Sequence, residues 1–300
     1  MPEKLPIILV TGFLGSGKTT LLRRMAESHP DWRMTFLVNE FADTSIDELT
    51  LDTTGTPTQS VVGGSLFCEC KAGEFVRVMK EQVLAQHQAN ALDAVIIETS
   101  GIADPEAIGE LMSLHGLSEN FEIRRIVCVV AAKRFLSLLK NLPTIQAQIR
   151  TSDLIIINKT DLAKSAVVDQ VESAIHKANP KAELLRAEHC AVDFNLGQIV
   201  RELPNRPLFT CDANPYSTET ITWPEARSIE EAKKWLNALP ETILRIKGTL
   251  RASDQSWRVE KTVDTLEIDA ISDFEPNQLI LIAHDDHEAD LQTALQSVIA

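Results

Sequence analysis

Eight consecutive residues, Gly12-Phe13-Leu14-Gly15-Ser16-Gly17-Lys18-Thr19, have the spacing G-x-x-x-x-G-K-T. That pattern suits an oxyanion cradle. Gly12, Gly15 and Gly17 let backbone N–H groups close around phosphate oxygens with no side chain between. Ser16, Lys18, Thr19 and Thr20 complete the phosphate-binding set expected here. Lys18 would reach the β- and γ-phosphates as a point charge, and the Thr19 hydroxyl would hold Mg²⁺. The helix expected from Lys18 onward adds the partial positive charge of its N-terminus.

Two further segments supply what a nucleoside triphosphate needs. In Asp93-Ala94-Val95-Ile96-Ile97-Glu98-Thr99-Ser100-Gly101 an apolar run ends in a carboxylate. Glu98 would orient Mg²⁺-bound water, and Gly101 would bring its N–H to the γ-phosphate without steric conflict. Lys18, Glu98 and Gly101 are the expected catalytic group, and Thr19 with Glu98 the expected magnesium ligands. Asn158-Lys159-Thr160-Asp161 follows another apolar run, about 140 residues beyond the phosphate loop. An Asp carboxylate accepts two hydrogen bonds from N1 and N2 of guanine, a donor pair that adenine lacks. Asn158 would tie this loop to the phosphate loop, the Lys159 stem would cover the base, and Asp161 would select GTP.

Other residues have the chemistry of a metal site. Asn39-Glu40-Phe41-Ala42-Asp43-Thr44-Ser45-Ile46-Asp47 is acidic and without strong periodicity. It reads as a switch segment that changes shape on hydrolysis, or as an acidic surface loop. Cys68-Glu69-Cys70 places two soft donors one residue apart. Two thiolates cannot fill a tetrahedral zinc site, so Glu40, Asp43 and Glu69 are candidate co-ligands. The alternative is a pair of small, semi-buried residues before a helix. His284-Asp285-Asp286-His287-Glu288 has ligand-type residues, but reads as a solvated loop and helix start.

For these groups to meet, the chain must bring several strand ends together. Strand candidates at 7–11, 34–39, 94–99, 125–131, 154–158 and 183–187 alternate with helical stretches at 18–28, 73–89, 104–114, 135–150 and 166–178. The alternation predicts an α/β fold of the P-loop NTPase kind, a mostly parallel sheet flanked by helices. Ala94–Ile97 and Leu154–Ile157 are apolar at every position, as strands buried on both faces are. Ligands of such sheets bind beyond the carboxyl ends of the strands, where each nucleotide motif falls. Pro204, Pro207, Pro215 and Pro224 punctuate a polar stretch that reads as a linker. A helix at 229–239, strands at 243–250, within 256–268 and at 278–283, and a helix at 287–299 then form a small C-terminal α+β domain. The expected division is 1–204 for the P-loop GTPase domain, 205–228 for the linker and 229–300 for the C-terminal domain.

The net charge of −14 argues against general binding to nucleic acid or to an anionic membrane. Hydrophobic content of 44% and charged content of 24% are those of an ordinary globular protein. No N-terminal stretch has the form of a signal peptide, and no apolar run is long enough to span a bilayer. The five cysteines (68, 70, 128, 190 and 211) are odd in number and lack scaffold spacing, so a reduced, cytoplasmic setting is expected.

On these residues the chain resembles the CobW-type GTPases, P-loop proteins linked to metal trafficking and metallocofactor insertion. Gly12–Thr19 matches that family's phosphate loop, and Asn39-Glu40-Phe41 opens its switch segment. Glu98-Thr99-Ser100-Gly101-Ile102-Ala103-Asp104-Pro105 is similar to its E-T-S-G-x-A-D-P signature. Asn158–Asp161 matches the guanine motif, and Arg245-Ile246-Lys247-Gly248 resembles the strand that opens its C-terminal domain.

The resemblance implies hydrolysis of GTP to GDP and phosphate, with Glu98 in the magnesium site. It also implies Zn²⁺ or Co²⁺ at a C-x-C-C motif, and a C-terminal domain that meets a client metalloenzyme or cofactor-dependent enzyme. The match departs at that motif. Aligned on the cysteines, Cys68 and Cys70 fit and Lys71 replaces the last one. Aligned on Gly73-Glu74-Phe75, only Cys68 does. Ala131-Ala132 also stands where the family often has an acidic residue. Two readings follow: a GTPase that handles its own metal, or a GTP-dependent chaperone or interaction module without a transition-metal site. An ATP-dependent kinase would need adenine recognition, which Asp161 argues against. No arginine finger is assignable, so turnover is expected to be slow and to need a client or a second subunit, as in a homodimer.

Overall fold

Strand β1 (Leu5–Thr11) is apolar along most of its length because it has no solvent face. Leu5, Ile7 and Leu9 enter one core, while Ile8 and Val10 enter another on the opposite side. The computed structural model describes residues 3–40, 58–62, 69–89, 92–193, 207–208, 216–224, 227–252, 255–263, 265–271 and 277–299. Residues 41–47 of the expected switch segment, Asp43 included, lie outside them, as does Cys68. The chain forms two compact units, Met1–Asp212 and Ala213–Ala300.

In the first unit β1 leads into α1 (Lys18–Ser28), β2 (Met34–Glu40), β3 (Thr58–Val62), α2 (Glu69–Val78) and, through a π-helical turn at Met79–Val83, α3 (Leu84–Gln88). Then come β4 (Ala94–Glu98), α4 (Ile108–Leu114), β5 (Phe121–Ala131), α5 (Phe135–Asn141), α6 (Pro143–Thr151), β6 (Leu154–Asn158), α7 (Ser165–Ala178) and β7 (Glu183–Arg186). The seven strands lie in the order β3-β2-β4-β1-β5-β6-β7. Every pairing is parallel. Parallel strands need crossovers, and the helices that supply them cover the sheet. Phe75, Met79, Ile108 and Leu111 pack on Leu5, Ile7, Leu9, Val95 and Ile97. Leu21, Leu22 and Met25 of α1 pack on Ile8, Val10, Phe36, Ile96 and Ile156. Each such side chain contributes about 1.5–3 kcal/mol by leaving water.

Three elements differ from the sequence expectation. The helix expected over 135–150 is two helices. Leu142 is extended at φ −118°, ψ 110° and Pro143 takes the first position of α6. The ring of a proline excludes helical backbone just before it, so the break is local chemistry. Strand β3 was unforeseen; its sequence, Thr58-Gln59-Ser60-Val61-Val62, is polar at three of five positions and forms the sheet edge. Tyr216–Ile221, inside the expected linker, is strand β8 of the second unit. Its prolines flank the strand instead of interrupting it, and exposed Thr218 and Thr220 alternate with half-buried Ser217 and Glu219, as on an edge.

The second unit continues with α8 (Ile229–Ala238), β9 (Ile243–Ala252), β10 (Gln255–Thr262), β11 (Leu266–Ile271), β12 (Gln278–His284) and α9 (Glu288–Ile299). Its five strands form an antiparallel sheet in the order β11-β10-β9-β12-β8. Trp223, Leu236, Ile246, Leu250, Val259, Leu281, Leu291 and Val298 share its core. Helix α8 starts at a capping box: Ser228 accepts from the Glu231 N–H, and Glu231 accepts from the Ser228 N–H. Among the described residues no helix is long and apolar enough to cross a membrane.

Gly248 in β9 has φ 155°, and a Cβ there would lie 2.0 Å from the Gln278 carbonyl oxygen. Gly248→Ala should therefore destabilise this unit by about 2 kcal/mol or more. Tryptophan fluorescence during denaturant unfolding of the full chain reads it, because Trp223, Trp235 and Trp257 lie in this unit and only Trp32 lies outside. An unchanged midpoint would contradict the close approach.

Candidate nucleotide site

The turn from β1 to α1 is built from backbone that ordinary residues avoid. Gly12, Gly15 and Gly17 have φ of 133°, 70° and 111°. Gly17 also has no room for a side chain, since a Cβ would sit 2.5 Å from Asn158 Nδ2. From the other side Gly101 closes on the same turn: its Cβ would lie 2.6 Å from the Leu14 backbone nitrogen. Thr99 Oγ1 donates to Thr11 Oγ1 at 3.2 Å, and the Thr99 N–H to the Val10 carbonyl at 2.9 Å. The segment after β4 is thus fastened along the phosphate loop.

Charged and hydroxyl groups gather at the start of α1. Lys18 Nζ donates to the Gly12 carbonyl at 2.9 Å and the Phe13 carbonyl at 3.4 Å, and lies 4.0 Å from Glu98 Oε1. Lys18 is 6% exposed and Glu98 5%. Thr19 Oγ1 is 3.2 Å from each oxygen of the Glu98 carboxylate. Thr20 follows, half-buried, in the first turn of α1. A hydroxyl beside a carboxylate is an all-oxygen donor set, the kind a hard cation such as Mg²⁺ takes. The buried Ser16 Oγ has no hydrogen-bond partner among the described residues, so the loop has one hydroxyl left for a ligand such as a phosphate oxygen.

Strand β6 delivers the second loop. Asn158 Nδ2 donates to the Ser16 carbonyl at 2.9 Å, and Asn158 Oδ1 accepts from the Cys190 N–H at 2.8 Å. Lys159 adopts the left-handed region at φ 57°, and Thr160–Leu162 form a 3-10 turn in which Asp161 is exposed. Thr160 Oγ1 donates to the Ala187 carbonyl at 3.0 Å. The segment after β7 is a participant that sequence reading missed. His189 and Cys190 are both left-handed, at φ 50° and 53°. Cys190 Sγ donates to the Gly17 carbonyl at 3.3 Å, and Arg24 Nε to the His189 carbonyl at 3.2 Å. The available signal was position alone: these residues follow the last parallel strand. Gln148 was missed too. It is a polar residue on the apolar side of α6, and its Nε2 donates to the carbonyls of Gly101 and Ala103 at 3.2 and 3.1 Å. Downstream, Asp104 accepts from the Glu106 N–H at 2.9 Å and caps the turn that begins at Pro105.

Of the expected transition-metal ligands, Glu40 ends β2 and Cys70 lies in α2, while Asp43 and Cys68 are outside the described set. No group of three or more His, Cys, Asp or Glu side chains suited to a metal ion occurs among the described residues. In the histidine-containing stretch, His284 Nδ1 accepts from the Asp286 N–H and Asp285–His287 form the turn that opens α9. Burial pushes the thiols of Cys128 and Cys190 up to about 12. Both stay protonated near neutrality and are poor metal donors. A cavity of about 690 Å³ opens at the opposite, amino ends of β1 and β4, beside Trp32, His87 and the Arg33–Asp93 ion pair; none of the nucleotide-loop residues lines it.

Several known proteins share this sequence pattern. The chain is 30% identical over 199 residues to zinc-regulated GTPase metalloprotein activator 1 of Schizosaccharomyces pombe, covering 64% of this chain and 47% of that protein. It is 26% identical over 192 residues to the zinc chaperone YjiA of Escherichia coli, covering 63% and 59%. The match to the zinc chaperone YeiR of Escherichia coli is 25% over 325 residues and covers 97% and 96%. The chain thus spans about half the length of several relatives it matches and nearly all of YeiR. Residues 6–186 match the family described as CobW/HypB/UreG, nucleotide-binding domain. With that match running from the first strand of the parallel sheet to the last, the chain belongs to the CobW/HypB/UreG family.

Proposed function

We propose that the chain binds GTP at the carboxyl ends of β1, β4 and β6 and hydrolyses it to GDP and phosphate, and that this cycle serves zinc delivery or the maturation of a client metalloenzyme. One observation carries the nucleotide reading. Lys18 and Thr19 both reach the Glu98 carboxylate, at 4.0 and 3.2 Å, at a loop that Asn158 ties to the turn bearing Asp161.

Lys18 would exchange the carbonyls of Gly12 and Phe13 for phosphate oxygens, which are charged and better acceptors. The loop amides and the N-terminus of α1 would share the remaining phosphate charge. Thr19 and Glu98 would hold magnesium, which would supply positive charge against the phosphate oxygens. Glu98, an acceptor when ionised, would hold a water in place, and Gly101 would offer its N–H to the γ-phosphate. Asp161 would accept from guanine N1 and N2. Catalysis by such a site is mostly positioning and electrostatics. With no arginine assigned to it, turnover is slow until a client or a second copy of the chain completes it. A reducing, cytoplasmic setting suits the free thiols of Cys128 and Cys190.

The printed names of the relatives, zinc chaperones and a zinc-regulated metalloprotein activator, support zinc as the cargo. Cys68, Cys70, Glu40 and Asp43 remain the proposed donors. Lys71, where a third thiolate would fall, favours the second reading, an interaction module without its own metal.

Lys18→Ala should lower kcat/KM for GTP by about 100- to 1,000-fold in a phosphate-release assay, and Glu98→Gln should lower kcat by about 100-fold while GDP binding persists. Wild-type turnover in both would refute the site. Asp161→Asn should weaken GTP binding by about 10- to 100-fold and improve binding of xanthosine triphosphate, because the amide offers a donor to the xanthine 2-carbonyl. Unchanged purine preference would contradict the assigned role of Asp161. Zinc titrations of the GTP-analogue and GDP forms should give different affinities, and Cys68→Ser with Cys70→Ser should abolish that binding. Unchanged zinc stoichiometry in the double variant would remove these cysteines as donors, and unchanged client activation with it would favour the interaction module.

A further inference from the structure

The segment after β4 must be stiff to serve a γ-phosphate, yet its central residue is the least restrained amino acid. Gly101 has no side chain to limit its dihedrals. Two hydrogen bonds supply the limit. The Ser100 carbonyl accepts from the Ala103 N–H at 3.0 Å, which fixes the peptide plane before Gly101. The Gly101 carbonyl accepts from Gln148 Nε2 at 3.2 Å, which fixes the plane after it. Peptide planes are rigid, so with both held the backbone of Gly101 has one conformation. The N–H groups of Gly101 and Ile102 then point away from the two captured carbonyls. Gln148 makes a second donation from the same nitrogen, to the Ala103 carbonyl at 3.1 Å. Its side chain is 1% exposed, so neither bond competes with water. The helix that carries it holds the next turn as well, where Arg150 meets Glu106 at 3.0 Å.

We propose that Gln148 is a positioning residue for GTP hydrolysis: it fixes the Gly101–Ala103 backbone from the core side, so that this segment is set for the γ-phosphate before nucleotide arrives. The inference rests on the GTP reading above and deepens it. The Gln148 amide hydrogen-bonds to the segment after β4, and none of its described hydrogen bonds goes to the phosphate loop or the purine loop. Its loss is therefore expected to be felt chiefly at the γ-phosphate. GDP, held by the β1–α1 turn and the Asp161 loop, does not sense it.

The test is Gln148→Met in the full chain, which keeps the length of the side chain and removes the donors. Affinity for GDP should stay within about twofold of the unaltered protein. Affinity for a non-hydrolysable GTP analogue with Mg²⁺ should fall about tenfold, and kcat about 10- to 100-fold. Gln148→Glu, which turns an acceptor toward two carbonyls, should lose at least as much. Gln148→Asn is shorter by one methylene and reaches one carbonyl at most, so it should fall between; it also serves if the methionine variant does not fold. Gln146→Ala, on the exposed side of the same helix, should keep the ratio of analogue to GDP affinity. Unaltered kcat and analogue affinity in the variants would overturn the proposal, as would an equal loss of GDP and analogue affinity, the mark of a merely structural role. An unaltered protein that binds no GTP would overturn the nucleotide reading beneath it, and is told apart because it appears without any substitution.

Discussion

The side-chain amide of Asn158 is shared between two backbone groups that belong to different loops. Its nitrogen donates to the Ser16 carbonyl and its oxygen accepts from the Cys190 N–H. Only a side chain with both a donor and an acceptor does both. An Asp in its place would turn an oxygen toward the Ser16 carbonyl. A Leu would leave two buried backbone groups unmade, at about 1–3 kcal/mol each. The bare Cα of Gly17 makes the room that the amide occupies. The loops after β1, β6 and β7 therefore share one hub. The paired left-handed residues His189 and Cys190 are tolerated because Asn158, Gly17 and Arg24 hold them from three directions.

On the other flank of β1 the constraint is electrostatic. Lys18 and Glu98 are nearly closed off from water, and their head groups lie 4.0 Å apart. Burying either alone would cost several kcal/mol, so each makes the other tolerable. Lys18 also directs its donors to two main-chain carbonyls, which are weaker partners than anionic oxygens. The arrangement is stable and open to exchange. Strand order makes it possible: β1 is central, with β4 on one side and β5 on the other. Loops distant in sequence meet in that crevice.

Much of this was legible in the residues. The six expected strands all form, and the pattern is plainest in β4 and β6, whose burial on both faces leaves few polar positions to obscure it. The loops that bear Gly12–Thr19, Glu98–Gly101 and Asn158–Asp161 converge, since each directly follows one of those strands. Two edge strands were not legible. Thr58–Val62 is polar at three of five positions, and Tyr216–Ile221 falls within the expected linker until its pairing is seen. Pro143 was a visible signal for the break between α5 and α6 that periodicity overrode. The supports of the site were hidden for another reason. Asn179, which donates to the Ile149 and Ser152 carbonyls, Gln148 and Cys190 all act through contacts 27 or more positions away, which no local pattern encodes.

Two described sulfur atoms beside the nucleotide loops are sealed. Cys128 sits in the central strand beside β1, Cys190 beside Gly17, and each is held in its neutral form by its apolar surroundings. Soft cations and mild oxidants attack sulfur only as the anion. At these two positions the nucleotide loops therefore present no thiolate to a soft cation, and their sulfur chemistry is silenced by packing alone.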